Sequence, residues 1–475
     1  MTLDPSDWTS LRRLGHRMVD DVFDHLEQVR DRPVWQKMPQ EAREALRTAV
    51  PRGPADPVDV YSDYMRLVLP YPTGNTHPRF MGWVHGGGNP VGMLAELLAA
   101  GLNANLGGRD HAPVEVERQV IRWSAELLGL PPETSGLLVT GTSIANLIGL
   151  LVARTAALGP EVRSAGLRDA RLVAYTSAKA HGCVARAMDM AGLGTEALRL
   201  IPCDAGHRMN VAALAAAIAE DRARGQKPFL LVGTAGTVDI GAFDDLAALA
   251  GIARAEKLWF HVDAAFGAMA ALAPALRPFL AGAEHADSLA FDFHKWMQVP
   301  YDAGCILVRD HAAHLAAFAQ QVAYLRREAR GLAGGHPWPC DLGPDLSRGF
   351  RALKVWMTWR AYGSDRLGEV VAQTCAVARA LAARVDSEPA LERLAPVPLN
   401  IVCFRMRGAD ADTLNREIVA DVQEAGIAAP STTMIDGRLA IRAAIVNHRT
   451  RVEDVEMLVD AVLEAARSRQ ALQGF

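Results

Sequence analysis

Three short stretches of the chain combine residue types that can do chemistry. In LVTGTSIANLIGLLVAR, residues 138 to 154, an apolar strand ends at Thr140, and Gly141-Thr142-Ser143 leads into a helical repeat. That repeat places Ile144, Leu147, Ile148, Leu151 and Val152 on one face. A helix N-terminus has free N–H groups, and a glycine with two hydroxyls beside them makes a pocket for an anion. The same residues would also serve as a plain N-cap at Thr142 or Ser143. Ala145 in the second glycine position argues against a GxSxG nucleophile elbow.

In LWFHVDAAFGA, residues 258 to 268, a strand delivers Asp263 at its carboxyl end, followed by Ala264, Ala265 and Gly267. A carboxylate fixed there can hold a proton on an aromatic ring nitrogen, although a strand-end Asp is also an ordinary cap or surface group. In SLAFDFHKWMQVPYDAGCILVR, residues 288 to 309, His294-Lys295-Trp296 follows a further apolar strand. Desolvation among apolar and aromatic neighbours favours the neutral amine of a lysine and suits it to Schiff-base formation. The bland alternative is a surface cation with a snorkelling stem.

The elements that must position these residues are legible as a pattern. Between about 136 and 310, short apolar runs (GLLVT, RLVAYT, FLLVGT, LWFHVD, SLAF, CILVR) alternate with longer amphipathic segments. This predicts an α/β fold with a mostly parallel sheet covered by helices, whose sites lie at the strands' carboxyl ends. In the order anion turn, strand-end aspartate and lysine, the three stretches fit a pyridoxal 5'-phosphate (PLP) site better than independent accidents do. Three domains are expected: a helical dimerisation arm over 1–88, a large cofactor-binding α/β domain over 89–350 and a small α+β domain over 351–475. The arm's amphipathic helices make a poor core alone, so it is expected to pack on a partner subunit.

Composition excludes several classes. The 475 residues carry 50 basic and 54 acidic side chains, net −4, spread without the basic stripe that nucleic acid attracts. The charged N-terminus lacks a signal-like apolar stretch, and no run is long enough to span a bilayer, so a cytoplasmic protein is expected. Cysteines at 183, 203, 305, 340, 375 and 403 are too dispersed for a zinc knuckle or a disulfide framework, and no metal site is expected.

With these motifs in place, the chain resembles the group II PLP-dependent amino-acid decarboxylases, including the aromatic-L-amino-acid decarboxylases, from about residue 10 to 470. HVDAAFGA and FDFHKW carry the resemblance most specifically. TGTSIANL, SAKAHGCVARA, GTVDIGAFDDL and SRGFRALKVWMTWRAYG support it. It implies PLP fold type I and a homodimer with the active site at its interface. It also implies decarboxylation of an L-amino acid to amine and carbon dioxide with Lys295 as the Schiff-base lysine. Asp263 would pair with the pyridine nitrogen, Ala265 would pack on the ring, and His181 would stack on the other face near the substrate carboxylate. Read without the family, His181 is equally a loop or core histidine. Gly141, Thr142 and Ser143 match the phosphate turn, Thr237 is a hydroxyl near the ring, and Asp292 and His294 match residues reaching towards phosphate and ring.

Three departures stand out. A loop tyrosine is expected in the family as the donor that returns a proton to Cα, yet residues 325 to 346 contain no tyrosine. Tyr324, His336, Cys340 or His181 would have to substitute, and the glycines at 331, 334 and 335 suit a lid. Loss of that tyrosine is associated with aldehyde synthases, which couple decarboxylation to oxidative deamination. Val238 stands where a threonine is common, and Asp292 replaces an asparagine. The substrate side chain is expected to meet Asn75, Phe80, Trp83 and His85, which suit an aromatic ring or a polar group alike. A PLP-binding regulator is the remaining alternative, but the N-terminal arm shows no DNA-binding helix or basic patch.

Overall fold

A computed structural model of the chain describes residues 2–319, 328–408 and 410–473. These form two compact units, Val84–Ala376 with Pro396–Ile401, and Met1–Trp83 with Val377–Ala395 and Val402–Phe475.

The larger unit is built on a seven-stranded sheet. Its strands are β1 (Ser135–Val139), β2 (Leu172–Ser177), β3 (Leu198–Ile201), β4 (Lys227–Thr234), β5 (Trp259–Asp263), β6 (Ser288–Asp292) and β7 (Gly304–Val308), in spatial order β1-β7-β6-β5-β4-β2-β3. All run parallel except β7, which lies antiparallel between β1 and β6. The apolar runs become strands because helices bury both faces. Leu137, Leu138, Val139, Ile306 and Val308 are all buried, each such side chain contributing about 1.5–3 kcal/mol. β3 is an edge strand that the sequence reading did not name.

Helix α1 (Thr142–Leu158) starts directly after β1, and α2 (Cys183–Met190) packs beside it. The apolar face read from sequence is only part of what α1 buries. Ala145, Asn146, Gly149, Leu150 and Ala153 are buried too, because the helix lies between the sheet and neighbouring helices.

The register brings two strand ends together. Gly304, at the start of β7, pairs with Val139 on one side and with Asp292 on the other. A Cβ on Gly304 would fall 2.5 Å from Gly141 Cα, so only glycine lets the turn after β1 lie over the strand.

The other unit contains helices Trp8–Glu27, Pro57–Leu67, Ala411–Glu424 and Val452–Gln473 and a five-stranded sheet. Its central hairpin pairs Ala429–Ile435 with Arg438–Ala444 through Asp436-Gly437. Both turn residues have positive φ, the requirement of a tight two-residue hairpin turn. Among the described residues no helix is long and apolar enough to cross a membrane.

Candidate active site

The carboxyl ends of β1, β5 and β6 carry the three chemical motifs. Lys295 Nζ lies 2.9 Å from Asp292 Oδ2, and Asp292 Oδ1 accepts the N–H of Thr142 at 2.7 Å. A carboxylate therefore joins the lysine to the first turn of α1, where the helix dipole favours an anion. Asp292 thus has both a cationic and a donor partner.

It also corrects the expected charge of Lys295. Burial pulls its pKa down as the largest single cause. The charge and hydrogen bond of Asp292, with Asp263 beyond, outweigh that, so the pKa rises above 10.5. In this structure Lys295 is ion-paired with Asp292, and its side chain is 23 % exposed.

Asp263 is buried at the end of β5. Its Oδ2 accepts from Asn146 Nδ2 at 2.9 Å, with Cys183 Sγ at 3.7 Å, and its Oδ1 accepts the N–H of Ala265 at 3.1 Å. Burial, followed by the Asp263 charge, pushes the Cys183 thiol up to about 12, so it stays protonated. Ala265 is partly exposed between buried neighbours, and its carbonyl accepts from Asp292 N at 3.0 Å.

His181 precedes α2 and is exposed. Its Nδ1 accepts the N–H of Cys183 at 3.2 Å, so a neutral ring carries its proton on Nε2. His294 Nδ1 likewise accepts from Ala303 N at 3.1 Å, leaving Nε2 facing Asp292 at 3.7 Å. Burial lowers the His294 pKa, against the opposing pull of Asp292.

Buried hydroxyls complete the arrangement. Thr142 Oγ1 is buried without a hydrogen-bond partner among the described residues, whereas Ser143 is exposed. Thr237 turns its hydroxyl inward to accept from Ala242 N at 3.0 Å. Thr234, which the sequence reading missed, stands opposite Asp263 in the β4–β5 register, and its buried hydroxyl also lacks a partner among the described residues.

His85 lies near Lys295, whose charge, after burial, lowers the histidine pKa. Its ring meets Tyr301 edge-on at 5.9 Å, and Tyr301 lies 4.2 Å from the His294 ring. Tyr301 is thus a further aromatic of this cluster, not singled out by the sequence. Gly86 packs tightly against the His294 backbone, since a Cβ there would fall 2.3 Å from His294 O.

Asn75, Phe80 and Trp83 belong to the other unit. Phe80 packs with Val34 and Ala429, Trp83 is exposed, and the Asn75 carbonyl accepts from Asn447 at 2.9 Å. Of the substitute proton donors, Tyr324 lies outside the described residues. His336 stacks on Trp338, which is buried and donates to Gly334 O at 2.7 Å, and Cys340 N donates to Gly107 O at 3.0 Å.

The residues fit PLP on the structure's own terms. An orphaned hydroxyl and a helix N-terminus suit a phosphate, a buried carboxylate held by donors suits a pyridine nitrogen, and the Lys295 amine is held by the carboxylate that caps that helix. Fold and site together define a PLP-dependent enzyme of fold type I.

Residues 39–407 match the family model for the pyridoxal-dependent decarboxylase conserved domain, and the chain belongs to that family. It is 33% identical to an aromatic-L-amino-acid decarboxylase of Bacillus atrophaeus, over 94% of this chain and 93% of the relative. It is 31% identical to a phenylacetaldehyde synthase of Arabidopsis thaliana, over 93% of each. The crystal structure of Oryza sativa TDC with PLP and tryptamine superposes with a TM-score of 0.90 at 28% identity, covering 98% of this chain and 100% of the other. The protein is a PLP-dependent carboxy-lyase acting on an amino acid.

Proposed function

We propose that the protein decarboxylates an aromatic L-amino acid to its amine, with Lys295 as the attachment point of the cofactor. The observation that carries the site assignment is the bridge from Lys295 through Asp292 to the N-terminus of α1, beside the buried carboxylate of Asp263. When bound, PLP supplies an electron sink for the charge left as carbon dioxide departs. Gly141, Thr142 and Ser143 would hold the phosphate, Asp263 the pyridine nitrogen, and Ala265 and His181 the two ring faces, with Asp292, His294 and Thr237 around them.

The Nε2–H of His181 is a donor suited to a substrate carboxylate, and binding there orients the bond that breaks. His85 and Tyr301 offer ring surface for an aromatic side chain, and the likeness to the rice structure holding tryptamine and to the Bacillus aromatic-L-amino-acid decarboxylase supports that choice. Asn75, Phe80 and Trp83 are proposed as further substrate contacts.

A second reading is the aldehyde synthase. The tyrosine-free stretch 325–346 and the likeness to a phenylacetaldehyde synthase favour it. We further infer a cytoplasmic homodimer with the active site at its interface, in which the helices before residue 88 form the arm. Trp8, Leu11, Val60 and Tyr64, exposed on those helices, support it, and sedimentation as a fully active monomer would refute it.

The deciding experiment incubates the protein and PLP with a panel of L-amino acids and follows carbon dioxide, amine, aldehyde and peroxide together. Amine equal to carbon dioxide from an aromatic substrate is the expected result. Aldehyde with peroxide would establish the second reading. Turnover only of non-aromatic substrates would overturn the substrate class.

A further inference from the structure

The donors that hold Asp263 terminate a longer hydrogen-bonded chain. Trp259, His261 and Asp263 share one face of β5, because side chains alternate along a strand. Trp259 Nε1 donates to Ser288 Oγ at 2.8 Å, and Ser288 Oγ meets His261 Nδ1 at 2.7 Å. His261 Nε2 meets Asn146 Oδ1 at 2.8 Å, and Asn146 Nδ2 donates to Asp263 Oδ2 at 2.9 Å. Helix α1 makes room for the imidazole through Gly149, where a Cβ would fall 2.7 Å from His261 Cε1.

Every role in the chain is forced. An indole N–H only donates and a carboxylate only accepts. Asn146 must therefore turn its NH2 to Asp263 and its oxygen to His261, which carries its proton on Nε2. Burial lowers the His261 pKa to about 3, so the ring holds a single proton and Nδ1 accepts the Ser288 hydroxyl. Running the chain the other way would require Asp263 to donate. Ser288 would then accept from both Trp259 and His261, and its own proton would face no acceptor among the described residues.

We propose that Asn146 and His261 are positioning residues that hold Asp263 as an acceptor with Oδ1 turned to the cofactor ring nitrogen, and that Trp259, at the far end of β5, sets the direction of the chain. This rests on the assignment of Asp263 to the pyridine nitrogen made above.

The test strips the protein of PLP, titrates the cofactor back, and reads its dissociation constant and its near-visible absorption band. Asn146→Leu removes the donor at Asp263 and is expected to weaken PLP binding about 10- to 100-fold with a displaced band. Trp259→Phe keeps the ring packing and lies about 13 Å along the strand from Asp263. It is expected to weaken binding about threefold with a smaller displacement of the band. Thermal midpoints of the cofactor-free proteins record any packing loss separately.

Unchanged affinity and band in both variants would overturn the proposal, and a change confined to Asn146→Leu would overturn the role of Trp259. If Asn146→Leu does not fold, Trp259→Phe decides alone. A wild-type protein that takes up no PLP would instead defeat the site assignment itself.

Discussion

The carboxylate of Asp292 is shared, with Oδ2 lying 2.9 Å from Lys295 Nζ and Oδ1 accepting the Thr142 N–H at 2.7 Å. Attachment of a carbonyl at Lys295 needs the neutral amine, so the ion pair opposes the first step of cofactor loading. The same carboxylate holds the lysine where the anion turn can meet the cofactor.

Asp292→Asn therefore has a predicted sign. It removes the main causes that raise the Lys295 pKa and leaves burial, which lowers it. The wild-type attachment rate should climb with pH towards values above 10.5, while the variant's curve moves to lower pH. At a fixed neutral pH the gain is about tenfold for each unit of displacement. Stopped-flow absorbance after mixing with PLP measures it, and superimposable pH curves would contradict the ion pair's role.

Arg348 and Glu117 form a buried pair against β1. Arg348 Nη2 reaches Glu117 Oε1 at 2.5 Å and Leu138 O at 2.6 Å, and Glu117 accepts from Leu138 N at 2.9 Å. Both the N–H and the carbonyl of Leu138 are thus fixed, three residues ahead of Gly141. Arg348→Met strands a buried carboxylate and should cost about 3–5 kcal/mol in urea unfolding. Adding Glu117→Leu should recover much of that loss, and equal stability of single and double variants would speak against the pair.

How far the sequence reaches is clearest in these residues. Asp263 and Lys295 were legible because apolar runs ending in a polar residue mark strand ends, and sites in such sheets lie there. The reversed direction of β7 is implicit in the short, helix-free link 293–303, since a parallel return needs a crossover. Burial alone favours the neutral amine of Lys295, but a carboxylate three residues earlier, which only the turn after β6 brings within reach, raises its pKa instead. The side-chain partners of Asp263 could not be read, since Asn146 and Cys183 lie 117 and 80 residues from it in the chain. Yet the alternation of Trp259, His261 and Asp263 on a strand buried on both faces was a usable signal for a polar chain.

Two buried histidines should make the protein sensitive to acid. Burial lowers both His261 and His314 from 6.5 to about 3, and His314 is locked between Ser135 Oγ and Leu342 O, each at 2.7 Å. A depressed folded-state pKa gives stability that is present above 6.5 and lost as pH falls towards about 3. Each ring should therefore cost about 2 kcal/mol between pH ~6.5 and pH ~5. Urea midpoints across that range measure the slope. His314→Gln, which cannot take up a proton, should remove that ring's share of the slope, about 2 kcal/mol over the range, and an unaltered slope would mean that other groups carry the acid response.

Gly304 is the position where a single methyl group should separate cofactor binding from folding. A Cβ there would approach the Gly141 backbone at 2.5 Å from Cα and 2.7 Å from C, and backbone cannot swing aside as a flexible side chain does. Gly304→Ala must push the turn after β1 away from β7. The turn carries the Thr142 N–H that Asp292 accepts, so the displacement acts directly on the anion pocket. Overpacking of this kind should cost about 1–3 kcal/mol in stability. The affinity for PLP, and for inorganic phosphate as a competitor, should fall by tenfold or more in protein that remains folded, as roughly 1.4 kcal/mol of lost phosphate contact would give. Equilibrium dialysis on folded material reads the affinity, and circular dichroism reads the fold. A variant that loses stability but binds both ligands as tightly as wild type would show that the turn relaxes without moving its N–H groups, and that Gly304 serves the sheet alone.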